Sequence, residues 1–317
     1  RNHSIFKELQ YLSNIDYRPI KYVNFAHDEE TYKALEASKA WSKAEMVAPK
    51  QFREEISPYF NSKSKKYLAA LISDECWQAT PGKVVDLIRN IGIAAGGTVM
   101  EDCRVIEAVR DGKYTSVLVS THDKQYIEYR TEHFVNALGS GAGKLCDSMG
   151  IDAGLYPVRH QAFITRRLPM LGKNGANLDM LIDRQDYKGF SAVYGQQIAY
   201  TGQIIGCASP KLDAMRIDKN LKLNTKAFLE IVSEMFVEWI PDLAGVGIQA
   251  VWAGYYTEPR YIVDPELGLF VGMRGHGFML SQYIAKMYVD KLMGRPVPEY
   301  FDKLKLNGPG LSEKAFK

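Results

Sequence analysis

No apolar run in this sequence approaches the roughly 18 residues that span a bilayer, and no charged-apolar-small leader opens it. A spanning helix is therefore not expected, and a cytoplasmic location is. The four cysteines (Cys76, Cys103, Cys146 and Cys207) form no C-x-x-C pair and keep no ligand spacing to the six histidines. They read as reduced thiols, and a metal site is not expected. Neither sign of charge predominates: 40 basic against 37 acidic side chains leave +3, which argues against a nucleic-acid partner. The short run Lys63, Lys65 and Lys66 reads as a solvated face. Repeats of fixed period and low-complexity segments are absent too.

Several loop motifs fail on spacing. In VNALGSGAGKL (135–145), Gly139, Gly141 and Gly143 miss G-x-G-x-x-G. A P-loop would need glycine at Leu138 and a hydroxyl residue at Leu145, and Gly139-Ser140-Gly141 lacks the glycine that opens a nucleophile elbow. Nucleotide hydrolysis and serine hydrolysis find no support.

What is present is an ordinary globular balance, 46% hydrophobic and 24% charged, over 317 residues. That length allows two cores, or one core of interleaved segments. Asp28 caps a surface helix reaching Lys43. Thr80-Pro81 starts a second, in which Val84, Val85, Leu87, Ile88 and Ile91 recur at helical spacing until Gly96-Gly97, predicting one buried face. The period then drops to two. Residues 105–109, a turn at Asp111-Gly112, Val117 and Val119, a turn at His122-Asp123 and residues 127–129 form an antiparallel meander, followed by an apolar strand over 134–139. Strand-like stretches at 161–165, 180–183, 190–194 and 197–202 predict another antiparallel sheet. Phe228, Leu229, Ile231, Val232, Met235, Phe236 and Trp239 predict a helix packed on it, stopped by Pro241. The last unit is a strand over 267–271, a glycine turn over 272–277, and a helix with Phe278, Met279, Tyr283, Ile284, Met287 and Leu292 inward.

Three strings carry candidate chemistry. GLFVGMRGHGFML (268–280) runs a buried strand through glycines into a helix whose first amides and macrodipole favour negative charge. A reduced flavin fits there, and so does a turn that binds nothing; His276 occupies this turn. The second string is the strand end at 135–145. The third, VWAGYYTEPRY (251–261), sets Trp252, Tyr255 and Tyr256 beside Arg260, which suits a small anionic substrate or, equally, aromatic packing under a loop with a solvated arginine. His160, in YPVRHQAF, alternates along a strand and faces either a domain interface or a pocket.

In this order the strings resemble the D-amino-acid oxidase-like (DAO) family of FAD-dependent oxidoreductases, which includes glycine and sarcosine oxidases and dye-linked proline dehydrogenases. The resemblance covers most of the chain. HFVNALGSGAGKL is similar to that family's "vVnAaGaW" strand, WAGYYTEP to its "WAGlyemTPD" segment, and GMRGHGFML to its "GfsGHGf" turn over the flavin ring. It implies an α/β fold in which an FAD-binding layered α/β domain (76–150 and 249–317) interleaves with an antiparallel-sheet α+β substrate domain (1–75 and 151–248). It implies FAD as cofactor, with Val105, Ala137, Leu138 and Gly139 near the dinucleotide and Gly272, Arg274, Gly275, His276, Gly277, Phe278 and Met279 near the ring. Catalytic roles fall to His276, Tyr256 and Arg260, and substrate contacts to Tyr255, Tyr256, His160, Arg260 and Arg274. The TEPR stretch departs from the family's TPD pattern.

The implied reaction is hydride transfer from the carbon bearing a substrate amine to flavin N5, in a small amine or amino acid of the glycine, sarcosine, proline or D-amino-acid type. Oxygen or a carrier is the electron acceptor, and a homo- or hetero-oligomer is compatible. Two alternatives stand beside it: oxidation of a hydroxy acid or glycerol phosphate on the same fold, and a flavin-free structural subunit. The family's N-terminal G-x-G-x-x-G loop has no counterpart here, and Arg1 is not an initiator. The expectation is that the pyrophosphate-binding unit, roughly 50–100 residues by the scale of such units, precedes Arg1 or comes from another chain. On that expectation the 317 residues alone aggregate or bind FAD weakly.

Overall fold

Period-two alternation along the segment after residue 155 builds one of the longest strands of the molecule, and a large sheet is assembled around it. The computed structural model describes residues 2–39, 43–171, 178–185, 189–198, 201–210 and 225–310. The chain begins with α1 (Asn2–Leu12), β1 (Arg18–Ala26), α2 (Glu29–Ser38) and β2 (Ala44–Val47). After a short α3 (Pro49–Gln51) come β3 (Ala69–Gln78) and α4 (Pro81–Ala94). The meander follows as β4 (Arg104–Asp111), β5 (Tyr114–Ser120) and β6 (Tyr126–Thr131), then α5 (Ala142–Ser148). The next strands are β7 (Tyr156–Thr165), β8 (Met180–Asp183), β9 (Phe190–Gln197) and β10 (Ile204–Pro210), followed by α6 (Thr225–Trp239). The chain closes with β11 (Ile248–Glu258), β12 (Ile262–Asp264), β13 (Leu269–Val271) and α7 (Gly277–Leu292).

The eight-stranded sheet runs β11-β7-β10-β9-β8-β1-β3-β2 and is antiparallel except where β1 meets β8. One face is sealed by α6: Phe228, Ile231, Val232, Phe236 and Trp239 pack on Val23, Phe25, Phe163, Leu181 and Val193. Contact is tight enough to require glycine in two strands. A β-carbon on Gly206 would lie 2.4 Å from the Phe163 ring, and one on Gly195 would lie 2.4 Å from Phe236. The meander closes over α5 through Ala108, Val117, Val119 and Leu145, while α7 covers β12 through Ile284, Met287 and Tyr288.

The mixed α/β architecture matches expectation, with five local differences. Residues 249–258, assigned by sequence to the FAD-binding unit, form the edge strand β11 of the large sheet, because each residue from Ala250 to Glu258 finds a partner on β7. Residues 134–139 are not a full strand: Asn136 alone bridges to Leu269 in parallel, and no described strand pairs with its other edge. The α4 face expected to be buried is largely open, since Val84 alone is buried, Leu87 is partly buried beside it against α1, and Val85 is 60% exposed. Periodicity marks a stripe but not what covers it. Finally, β9 ends at Gln197 and pairing resumes at Ile204, so 197–202 is a connection, part of it outside the described residues. The helix expected to reach Lys43 ends at Ser38, with residues 40–42 outside the description.

No described helix is long and apolar enough to cross a membrane. Gly206→Ala is expected to lower stability by about 1–3 kcal/mol through overpacking, whereas Gly254→Ala, whose β-carbon would meet nothing within 4 Å, is expected to be near neutral. Urea midpoints of the two variants check this.

Candidate functional site

Strand register sorts the side chains of the sheet onto two faces. Directly paired residues share a face, so the pairs His160 with Gly254, Val158 with Tyr256, Ala162 with Cys207 and with Trp252, Cys207 with Tyr194, and Gln196 with Ile205 place all of these together. Tyr22 joins them through Met180. This is the face opposite α6. Tyr255, one residue from Tyr256, points to the α6 side and pairs with Arg159. Of the two tyrosines expected at the substrate, only Tyr256 faces the site, because a strand cannot present consecutive side chains to one face.

On the open face the His160 and Tyr256 rings stack at 3.8 Å, and the Tyr256 and Tyr194 hydroxyls share a 3.3 Å hydrogen bond. Burial pushes the His160 imidazole down to about 4 and leaves its Nδ1 enclosed without a partner. Burial likewise raises both phenols, with Cys207 beside them adding to the shift, and lifts the Cys207 thiol to about 11. At neutral pH the cluster therefore carries no charge: one neutral imidazole, two phenols and a thiol. Tyr194 and Cys207 were not singled out from sequence. Alternation along 190–197 was the available signal, but it names a face only once the neighbouring strands are known.

The glycine turn abuts this cluster. Gly272 has φ +71, and a β-carbon there would lie 1.9 Å from the Arg260 carbonyl; one on Gly275 would lie 2.7 Å from the Tyr256 ring. Both positions demand glycine for close approach. His276 Nδ1 shares a 2.6 Å hydrogen bond with the hydroxyl of buried Tyr261, which ties the turn to β12. Arg274 Nε donates to Glu258 on β11. Arg260 is placed differently from expectation: its guanidinium donates to the carbonyls of Leu306 and Gly308 (3.2 Å), so backbone oxygens occupy the group proposed for substrate. Phe278 and Met279, expected inward, are exposed at the first turn of α7, while Tyr288 is buried instead.

Residues 135–139 end beside this turn. Asn136 and Leu269 are parallel partners, and three residues beyond each the chain turns at Gly139 (φ +55) and Gly272. Asn136 is fully buried and donates to the Ala142 carbonyl at 3.0 Å, fixing the start of α5. Ligands of open α/β sheets collect at such strand ends. Ala137, Leu138 and Gly139 stand at this end, and Val105 lies on β4 of the adjoining meander.

Above the open face lies a cavity of about 600 Å³, walled by Phe6, Tyr17, Tyr22, Trp77, Phe278 and Met279. Gly254 has open space where a side chain would stand, Trp252 is exposed beside it, and α7 starts directly after the glycine turn. A flat, partly apolar ring with hydrogen-bonding edges, such as the flavin of FAD, fits this combination of bare glycine, unpartnered His160 nitrogen and helix start. Among the described residues no group of three or more His, Cys, Asp or Glu is placed to hold a metal ion.

Residues 1–291 match the family model DAO, FAD dependent oxidoreductase. Solved structures share the fold. L-proline dehydrogenase from P. horikoshii is 21% identical, with 96% of this chain and 80% of that chain covered and a TM-score of 0.77. Glycine oxidase from Geobacillus kaustophilus is 17% identical, with 96% and 80% covered and a TM-score of 0.76. L-alpha-glycerophosphate oxidase from Mycoplasma pneumoniae is 15% identical, with 92% and 79% covered and a TM-score of 0.70. No curated protein matches the chain.

Because His160 has a depressed folded-state value, its unfolded form takes up a proton first, and stability is lost as pH falls from the ordinary 6.5 through about 4. The melting temperature is expected to fall between pH 7 and 4.5 by less in His160→Phe than in the parent. Equal acid sensitivity in the two proteins would remove His160 from this role.

Proposed function

Because this chain belongs to the DAO family of FAD dependent oxidoreductases, we propose that it oxidises a small amine or amino acid on the open face of its large sheet. When bound, FAD supplies the hydride acceptor that converts the carbon bearing the amine into an imine, which water hydrolyses. The observation carrying this reading is the uncharged cluster of His160, Tyr194 and Tyr256 pressed against the Gly275 turn. Gly272, Arg274, Gly275, His276, Gly277, Phe278 and Met279 would hold the ring, and Val105, Ala137, Leu138 and Gly139 the dinucleotide.

Each residue has a definable task. The first turn of α7 favours negative charge on the group above it, by about 0.3–1 kcal/mol for an exposed helix end. Tyr256 and Tyr194, held protonated, donate hydrogen bonds without competing for the substrate's proton. The neutral His160, stacked on Tyr256, adds no positive charge beside the substrate. A neutral environment favours the unprotonated amine, the form whose lone pair assists hydride departure. His276 positions the turn through Tyr261. Arg274, charge-balanced by Glu258, takes the place expected for Arg260.

The likeness to L-alpha-glycerophosphate oxidase supports a second reading, hydroxyl oxidation on the same fold. Oxygen or a carrier would reoxidise the flavin, and the free cysteines suit a cytoplasmic setting.

Anaerobic titration of the FAD-loaded protein separates the readings. Amines such as proline or N-methylglycine are expected to bleach the flavin bands, and bleaching only by 2-hydroxy acids or glycerol phosphate would replace the amine reading. A polypeptide yielding no flavin after acid extraction and reconstitution would sink both. Tyr256→Phe is expected to lower kcat/KM about tenfold, the scale of one lost hydrogen bond.

A further inference from the structure

The Tyr256 ring is clamped in place. His160 stacks on it at 3.8 Å, and the glycine turn presses so closely that a β-carbon on Gly275 would lie 2.7 Å from it. The ring cannot swing, so the freedom left to Tyr256 is rotation of its hydroxyl hydrogen. Its hydrogen-bond partner, the Tyr194 hydroxyl at 3.3 Å, comes from β9, across β10 and β7. Level with Tyr194, those two strands carry the short side chains of Cys207 and Ala162, which leaves the space in which the hydroxyls meet.

Two hydroxyls can share a hydrogen in either direction, and their neighbours decide which. Beside Tyr194 stands Cys207, whose thiol directs its own hydrogen at the Ala208 carbonyl, 3.8 Å away. It therefore offers Tyr194 no donor, and its sulfur is a weak acceptor. The Tyr256 oxygen is the better partner for the Tyr194 hydrogen. Burial keeps both phenols protonated, and within the pair the contact raises Tyr194 and lowers Tyr256, as follows when Tyr194 donates. The Tyr256 hydrogen is then left for a group in the site. A bond to the amine lone pair would oppose hydride departure, so an oxygen is the fitting acceptor.

Resting on the amine-oxidising reading above, we propose that Tyr194 is a positioning residue: its hydroxyl donates to Tyr256 and so turns the Tyr256 hydrogen toward a carboxylate oxygen of an amino-acid substrate. A thiol at position 207 keeps this relay one-way. In Cys207→Ser an alkyl hydroxyl would accept the Tyr194 hydrogen well, Tyr256 would donate to Tyr194 instead, and the carboxylate would meet a lone pair. Tyr194 acts through Tyr256 alone.

The test uses the FAD-loaded full chain and acetate, a carboxylate it cannot oxidise, with binding read by calorimetry. Tyr256→Phe is expected to weaken acetate about tenfold and Cys207→Ser about fivefold, the scale of one lost or redirected hydrogen bond. Cys207→Ala and Cys207→Val, which offer no oxygen, should each weaken it less than Cys207→Ser does. Tyr194→Phe should weaken it about threefold by itself and no further when added to Tyr256→Phe. A packing role alone predicts losses that follow the melting temperatures of the variants instead. No acetate binding by the parent, equal losses in Cys207→Ser and Cys207→Ala, or a further loss when Tyr194→Phe joins Tyr256→Phe overturns the assignment. Flavin bleaching of the parent by proline or N-methylglycine is read separately. If either amine bleaches it while the acetate series fails, the amine-oxidising reading stands and the relay falls; bleaching by neither removes that reading together with the substrate class named here. The tyrosine pair decides the matter even where the Cys207 variants fail to fold.

Discussion

The pairing of β7 with β11 is the constraint on which the site depends. Its register sets His160 opposite Gly254 and Val158 opposite Tyr256. A slip of one residue would exchange faces, putting Tyr255 on the open face and Tyr256 against the α6 side. What holds the register is the sealed face. Phe163 on β7 is locked between α6 and Gly206, and a shifted strand would withdraw that ring from the core and set the differently sized Ala162 or Ile164 in its place. The tightly packed side of the sheet thus fixes the geometry of the open side.

Glycine performs the matching task at the turn before α7. The chain must pass under Arg260 and against the Tyr256 ring before the helix begins, and no side chain fits at Gly272 or Gly275. The same crowding gives the neutral character of the cluster, since exclusion of water depresses an imidazole and raises phenols and thiols alike. Compactness and lack of charge are one property here.

Much of this was legible locally. The strand at 180–183 has the bounds expected of it, the meander has its two turns where polar residues stand, and the 228–239 helix buries the side chains its period marked. The three strings that resemble the DAO family lie at strand ends and a helix start. The side chains they carry are placed unevenly. Tyr256 and His160 came together, whereas Arg260 was drawn to the carbonyls of residues 306 and 308, some 46 and 48 positions away. The TEPR departure was the warning that this side of the motif follows another path. Phe278 and Met279 matched the helical period yet face the cavity, because a helix start can expose apolar residues to a ligand space as readily as to a core.

The sequence by itself determined the elements and the class of fold, since period, caps and glycine turns act over a few neighbouring residues. It also marked, through GMRGHGF and WAGYY, two segments that meet where Gly275 presses on the Tyr256 ring. Only the tertiary structure decided which side chains share a space. The aromatic wall unites Phe6, Tyr17, Trp77 and Phe278, and the His160 cluster unites four strands. No local signal ties such distant residues. Their meeting follows from strand order and from which face α6 covers, and those are settled by the packing of the whole sheet.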